Sequence, residues 1–287
     1  MDGTCRESGA KRLVALRLVW SYNAMKMTIF LWGRVVGLLA CLVLVSCTTV
    51  SETGRKQFNI LSSAEELQLG LTSFQEMKKE VPVSTNAAAN LMLQKVGTRI
   101  AAVAPMENAQ WEFVLFESKE PNAFCLPGGK VGVYTGILPI TKDEAGLATV
   151  IGHEVAHAKA RHGGERLTTQ MALQTGGSVL GAGLSSTDPK VQAAASTIYG
   201  LGGSLLYALP HSRTQESEAD YMGLLYMARA GYEPAQAVAF WQRFAESNKQ
   251  AGGEGLWFLR THPLDSDRIE QIKGWLPQAQ KEYRPAP

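Results

Sequence analysis

Apolar positions recur at helical spacing over most of this chain and change period only in its middle. Leu67, Leu71, Phe74 and Met77 mark the buried face of a first helix, with Ser63-Ala-Glu-Glu66 as its capping box and Pro82 beyond its end. A second helix is predicted from about Asn86 to Ala104, with Leu91, Val96, Ile100 and Val103 inward. The period then shortens. Trp111–Glu117, Ala123–Leu126 and Lys130–Tyr134 read as strands, separated by turns at Glu120-Pro-Asn122 and Pro127-Gly-Gly129. Thr141-Lys-Asp-Glu144 reads as the capping box of a third helix, which carries the stripe Leu147, Val150, Ile151, Val155 and ends at Gly163-Gly164.

Residues 170–209 are rich in Gly, Ala and Ser, with apolar runs Val179–Leu184 and Ile198–Leu209. Neither run reaches the roughly 18 residues of a membrane span, so the segment reads as two loosely packed helices or a mobile flap or lid. Helical spacing resumes over Ser212–Ala230, with Tyr221, Leu224, Leu225 and Ala228 inward and Gly231 as cap. Pro234 opens a helix through Phe240, Trp241 and Phe244, and Asp265 or Ser266 begins a last one with Ile269 and Ile272. The expected fold is α+β and predominantly helical, a single domain over residues 63–287 with a small antiparallel sheet before the third helix.

Composition changes this picture only at the N-terminus. Residues 1–46 hold six Lys/Arg and two acids; the rest carry 22 basic against 24 acidic residues, a net charge of −2. No basic face for nucleic acid is expected. Val35–Val45 is an uncharged apolar run behind Lys26 and Arg34, as in a secretory signal, and too short to cross a bilayer. Residues 1–46 are therefore read as a signal peptide, with Met25 or Met27 a more usual start than Met1. Leu44-Val-Ser-Cys47 resembles the lipobox of bacterial lipoproteins; the competing reading is an ordinary cleaved signal with an accidental cysteine. A lipidated Cys47 would anchor the chain to a membrane through a tether over 47–62. Thr48 after it resembles the outer-membrane sorting pattern, which places the protein on the periplasmic side of a Gram-negative outer membrane. Cys125 would remain as a buried, inert thiol.

The candidate chemistry lies on the third helix, at His153-Glu-Val-Ala-His157. Two histidines four apart on a helix leave the same face, one turn apart, and can share a Zn²⁺. Glu154 lies about 100° round the helix, poor as a ligand but placed to hold a metal-bound water as general base. A catalytic zinc site needs a third protein ligand. Glu216 and Asp220, four apart on a predicted helix, share a face, so one can bind metal while the other holds a ligating imidazole. Glu218 should point elsewhere. A solvated acidic face is the bland alternative.

Together these motifs resemble the M48 zinc endopeptidases, the group that includes the CAAX prenyl protease and bacterial periplasmic quality-control proteases. The resemblance extends over Thr53-Gly-Arg-Lys-Gln57, Asn122–Gly129, Arg213-x-x-Glu216-x-Glu-Ala-Asp220, Gly231-Tyr and Thr261-His-Pro263, and looks closest to the lipoprotein members. It implies one Zn²⁺ held by His153, His157 and Glu216, Glu154 as catalytic base, and Asp220 as orienter or proton donor. His262 matches a histidine that can sit on the zinc as an extra ligand and keep the enzyme latent; read from the residues alone, it is an oxyanion donor or a structural loop histidine. His162 and His211 are expected to be surface or locally hydrogen-bonded residues. The implied substrates are unfolded or misassembled envelope proteins, laid along the edge at Asn122–Leu126, with outer-membrane assembly machinery as a further candidate partner. The absence of several spanning helices argues against a prenylated substrate. The competing function is a latent zinc-bound lipoprotein that acts as a chaperone or adaptor.

Overall fold

A computed structural model describes residues 47–182, 210–250, 258, 261–262 and 267–285. The chain divides into two compact units, residues 1–48 and 49–287; among the described residues, the second holds all of the helices and the three-stranded sheet. The proposed signal segment, most of the 170–209 lid and the helix start at 265–266 lie outside the described residues, as does the Cys47 side chain. Among the described residues no helix is long and apolar enough to cross a membrane.

The helices fall close to their predicted places, and the differences are local. Helix α1 spans Ser63–Glu80. Its capping box lies one residue earlier than expected: Ser62 Oγ accepts from the Glu65 amide, and the Glu65 carboxylate accepts from the Ser62 amide. Helix α2 is Ala87–Val103, capped by Asn86. Its inward stripe is Ala89, Leu93, Val96, Gly97 and Ile100. Leu91, expected inside, is 72% exposed, because it stands about 200° round the helix from Leu93.

Strands β1 (Glu112–Phe116), β2 (Ala123–Leu126) and β3 (Lys130–Tyr134) form one sheet in the order β1-β3-β2. The α+β, mainly helical class holds, but the sheet is mixed and not purely antiparallel. The tight turn at Gly128 and Gly129, both at positive φ, folds β2 back on β3. The connection from Phe116 to Ala123 lets β3 enter the centre, where it pairs parallel to β1 from Glu112↔Lys130 to Phe116↔Tyr134. Strand β2 is left at an edge.

Helix α3, Glu144–Lys159, is buried along nearly its whole length. Its cap is Asp143, whose side chain accepts from the Gly146 amide; Thr141 instead ends a preceding single turn. The helix stops at Ala160, and the left-handed residue is Arg161 (φ 58°), not Gly163-Gly164. That uncommon backbone is held by the Arg161 side chain, which reaches the Glu66 carboxylate (2.8 Å) and the Leu61 carbonyl (2.6 Å). Gly163 and Gly164 lie inside α4, His162–Ala182.

Helix α5, Arg213–Arg229, opens on a capping box of Ser212 and Gln215 and is followed by Gly231 at φ 88°. It crosses α3 where Gly152 meets Gly223. A Cβ on Gly152 would come 2.9 Å from the Gly223 carbonyl oxygen, and one on Gly223 would come 2.8 Å from the His153 amide nitrogen. Two glycines thus let the backbones approach directly beside His153. Helices α6 (Ala235–Gln250) and α7 (Arg268–Glu282) complete the unit. The main core wraps α3, whose Leu147, Val150, Ile151 and Val155 are fully buried, as the sequence stripe predicts. A smaller core of Phe74, Met77, Phe116, Phe124, Leu126 and Leu167 joins the sheet to α1 and α4.

Candidate metal centre

The crossing of α3 and α5 brings His153, His157 and Glu216 to one point. Nε2 of His153 and Nε2 of His157 are 3.0 Å apart, and the Glu216 carboxylate reaches them at 3.5 and 3.3 Å. His262, from a different stretch of the chain, joins them: its Nδ1 is 3.2 Å from His153 Nε2 and 3.0 Å from Glu216 Oε1. One donor atom from each of the four lies within 4.8 Å of the others, and all four residues are buried. Glu154 stands beside the cluster, its Oε1 3.4 Å from His262 Nε2.

Asp220 does not enter the cluster. Its Oδ1 lies 2.9 Å from Nδ1 of His153. A carboxylate can only accept, so His153 donates from Nδ1, which leaves Nε2, on the side of the other donors, as the atom that could bind a metal. Glu218 points away from the cluster, but it is buried, not solvated: its Oε2 meets His162 Nε2 at 2.9 Å and Arg55 Nε at 2.6 Å.

Of the two expectations for His162 and His211, a surface position fails, since both are buried, and local polar contacts remain. The tight turn at Arg161 throws His162 back under His157, where the two Nδ1 atoms are 2.7 Å apart. His211 is carried in by its amide, which donates to the Thr261 carbonyl at 2.9 Å, and its ring centroid lies 3.7 Å from that of His157. Two arginines carry no periodic signal and escape a reading by sequence. Arg268 contacts Asp220 and Glu216 and lies over Trp241, 3.6 Å from the ring centroid. Arg166 lies against the His211 ring and lines the cleft with Glu154 and His262. His162 alone had a nearby sequence clue, five residues past His157.

Burial and charge set opposite tendencies in these groups. Burial works against a charge on His153, but Asp220 and Glu216 outweigh it and push the imidazole up to about 9. Burial and the neighbouring His153 hold His157 well below the ordinary range. Glu216 stays far below the usual carboxylate range, since His262 and Arg268 outweigh its burial. Burial raises Glu154, against the pull of His262 and His153. Burial also lowers Arg166 to about 10.

The donor set fits a metal ion. Three imidazole nitrogens and a carboxylate oxygen lie within 4.8 Å of one another, and Glu154 Oε1 beside them is buried without a well-aligned hydrogen bond. Imidazoles and one carboxylate at this spacing suit Zn²⁺. The cleft beside the cluster is walled on its other side by β2, from Asn122 to Pro127.

Residues 87–276 match the family model Peptidase family M48. The chain is 36% identical over 232 residues to the mitochondrial metalloendopeptidase OMA1 of Schizosaccharomyces pombe, covering 79% of this chain and 66% of that protein. It is 39% identical over 183 residues to OMA1 of Saccharomyces cerevisiae, covering 62% and 50%. The beta-barrel assembly-enhancing protease of Escherichia coli is 24% identical over 234 residues, covering 79% and 47%. The chain therefore spans roughly half to two thirds of the length of these relatives.

Proposed function

This chain belongs to peptidase family M48, and from that premise we propose that it is a zinc-dependent endopeptidase. The observation that carries the reading is the meeting of His153 Nε2, His157 Nε2 and the Glu216 carboxylate, with the Glu154 carboxylate at the cleft beside them. In this reading His153, His157 and Glu216 hold one Zn²⁺, which when bound polarises the scissile carbonyl and acidifies the attacking water. Glu154 takes the proton of that water and passes it to the leaving amine. Burial, by raising Glu154, makes it the stronger base. Asp220 keeps the His153 proton on Nδ1. The substrate lies extended along β2, the edge strand that walls the cleft.

His262 acts as a latch on this site. Its Nδ1 reaches His153 and Glu216, and its Nε2 faces Glu154, so in this position it would be a further ligand to a bound metal and would engage the base. Activity then requires its withdrawal.

The substrates are unfolded or misassembled proteins of a bacterial envelope, met on the periplasmic side of an outer membrane to which Cys47 anchors the chain. The lipobox-like Leu44-Val-Ser-Cys47 supports that placement, and so do bacterial relatives named as beta-barrel assembly-enhancing proteases. The similarity to mitochondrial OMA1 supports the protease reading without this location. Purified protein, with its zinc content measured, and Glu154→Gln should be compared on casein and on an unfolded outer-membrane protein. The reading expects about one zinc per chain and cleavage by the wild type alone. Equal cleavage by both would remove the peptidase mechanism; cleavage by neither, with substrate held soluble, would favour a chaperone or adaptor.

A further inference from the structure

The two histidines of His153-Glu-Val-Ala-His157 are supported differently. His153 donates from Nδ1 directly to a carboxylate, that of Asp220, as metal-bound imidazoles usually do. Among the described residues no carboxylate reaches Nδ1 of His157. Its neighbour there is Nδ1 of His162, at 2.7 Å.

The proton positions follow from the far end of this chain of contacts. Glu218 Oε2 lies 2.9 Å from His162 Nε2, and because a carboxylate only accepts, the proton of that contact sits on His162 Nε2. Glu218 already has a cation, Arg55, whose Nε is 2.6 Å from the same oxygen, and the Thr53 hydroxyl binds its other oxygen. A second positive charge on His162 is not required to neutralise it. Neutral His162 then presents a lone pair at Nδ1, and the proton between the two rings belongs to His157 Nδ1. That leaves the His157 Nε2 lone pair directed at His153 Nε2 and Glu216.

We propose that His162 is a positioning residue that, backed by Glu218 and Arg55, fixes His157 in the tautomer whose Nε2 can bind the metal. Each imidazole of the His153–His157 pair then has a carboxylate held by an arginine: Asp220 with Arg268 behind His153, and Glu218 with Arg55 behind His157 through one additional ring. Arg55 is itself held at Glu165 by two contacts of 2.8 and 3.0 Å. The stretch Thr53–Arg55, before the first long helix, thus becomes part of the support of the site. The opposite arrangement, His162 doubly protonated and donating from Nδ1, would put the His157 proton on Nε2 and aim it at the other donors.

This inference rests on the proposed zinc site, and the test separates the two. Full-length wild type, His162→Leu and His162→Gln are loaded with zinc, and zinc affinity is measured by chelator competition. Glutamine can accept from His157 and donate to Glu218, whereas leucine fills the space without doing either. His162→Leu should bind zinc roughly 10–100-fold more weakly, and His162→Gln within about threefold of wild type. Imidazole ¹⁵N–¹H spectra should show a hydrogen-bonded Nδ1–H on His157 in wild type and His162→Gln, and its loss in His162→Leu. Zinc held equally by wild type and His162→Leu, or lost equally from both variants, would overturn this inference alone. A wild type without zinc would overturn it together with the site. If His162→Leu does not fold, the wild-type spectrum decides: a proton on His162 Nδ1 overturns the proposal, and a neutral ring protonated at Nε2 supports it.

Discussion

Arg268 grips Asp220 side-on, with Nε 2.5 Å from Oδ2 and Nη2 2.8 Å from Oδ1. The same guanidinium lies on the face of Trp241 and reaches Glu216 Oε2 at 2.9 Å. It is the buried cation that balances two buried carboxylates of α5. Arg268→Met should therefore destabilise the fold by about 3–5 kcal/mol, since it leaves those carboxylates without their partner. Arg268→Lys should recover only part, because a point charge cannot bind both oxygens of Asp220 and stack on Trp241. Chemical denaturation of the three proteins measures this; unchanged midpoints would show that the pair contributes nothing.

Removing the proposed latch has a signed outcome. His262→Ala should raise the rate of casein cleavage by roughly tenfold, equivalent to about 1.4 kcal/mol of lost closure. A fall in kcat with unchanged zinc content would instead make His262 a group that stabilises the transition state.

The edge strand is tested at Asn122, a buried side chain whose Oδ1 accepts from the Ala123 amide at 2.9 Å. Asn122→Ala should lower kcat/KM on an unfolded substrate by roughly tenfold, mainly through KM, with a loss of stability near 1 kcal/mol. Unaltered kinetics would remove β2 from the binding path.

The glycine crossing leaves no room for a methyl group. Gly223→Ala would press a Cβ against the His153 backbone, and should cost about 1–3 kcal/mol and weaken zinc binding. A variant with wild-type melting temperature and zinc affinity would show that the helices can separate freely.

Acid stability should depend on Glu218. Burial raises its carboxyl, but His162, Thr53 and Arg55 together lower it to about 2 from an ordinary 4.5. Its unfolded form binds the proton first, so its contribution is complete above about pH 4.5 and is lost as pH falls toward 2. In chelator-treated protein, Glu218→Gln should lose less stability than wild type between roughly pH 5 and 3. Parallel losses would show that Glu218 is not linked to folding.

Local rules were enough for much of this protein. Helical spacing locates α3 and its stripe Leu147, Val150, Ile151 and Val155, and the turn at Pro127-Gly-Gly129 locates the β2–β3 hairpin, because neighbouring residues decide both. The four-residue spacings of His153 with His157, and of Glu216 with Asp220, likewise follow from one turn of helix. Leu91 shows the limit of this reasoning, since the phase of a helix is set by whatever packs against it, and the inward place went to Leu93. Sheet order was also beyond local rules: whether β1 pairs with β2 or β3 depends on the path of the connection from Phe116 to Ala123. The supports of the site were least legible. Arg55, His162, Glu218 and Arg268 are polar residues without periodicity, and separately each reads as a surface group. Only the folded chain buries His162 and Glu218 under a half-buried Arg55, and Arg268 against Asp220, where an ion pair or a shared proton offsets the cost of leaving water. Residue type and one-turn spacing mark the side chains able to bind a metal; packing between stretches far apart in the chain selects the residues that hold them in position.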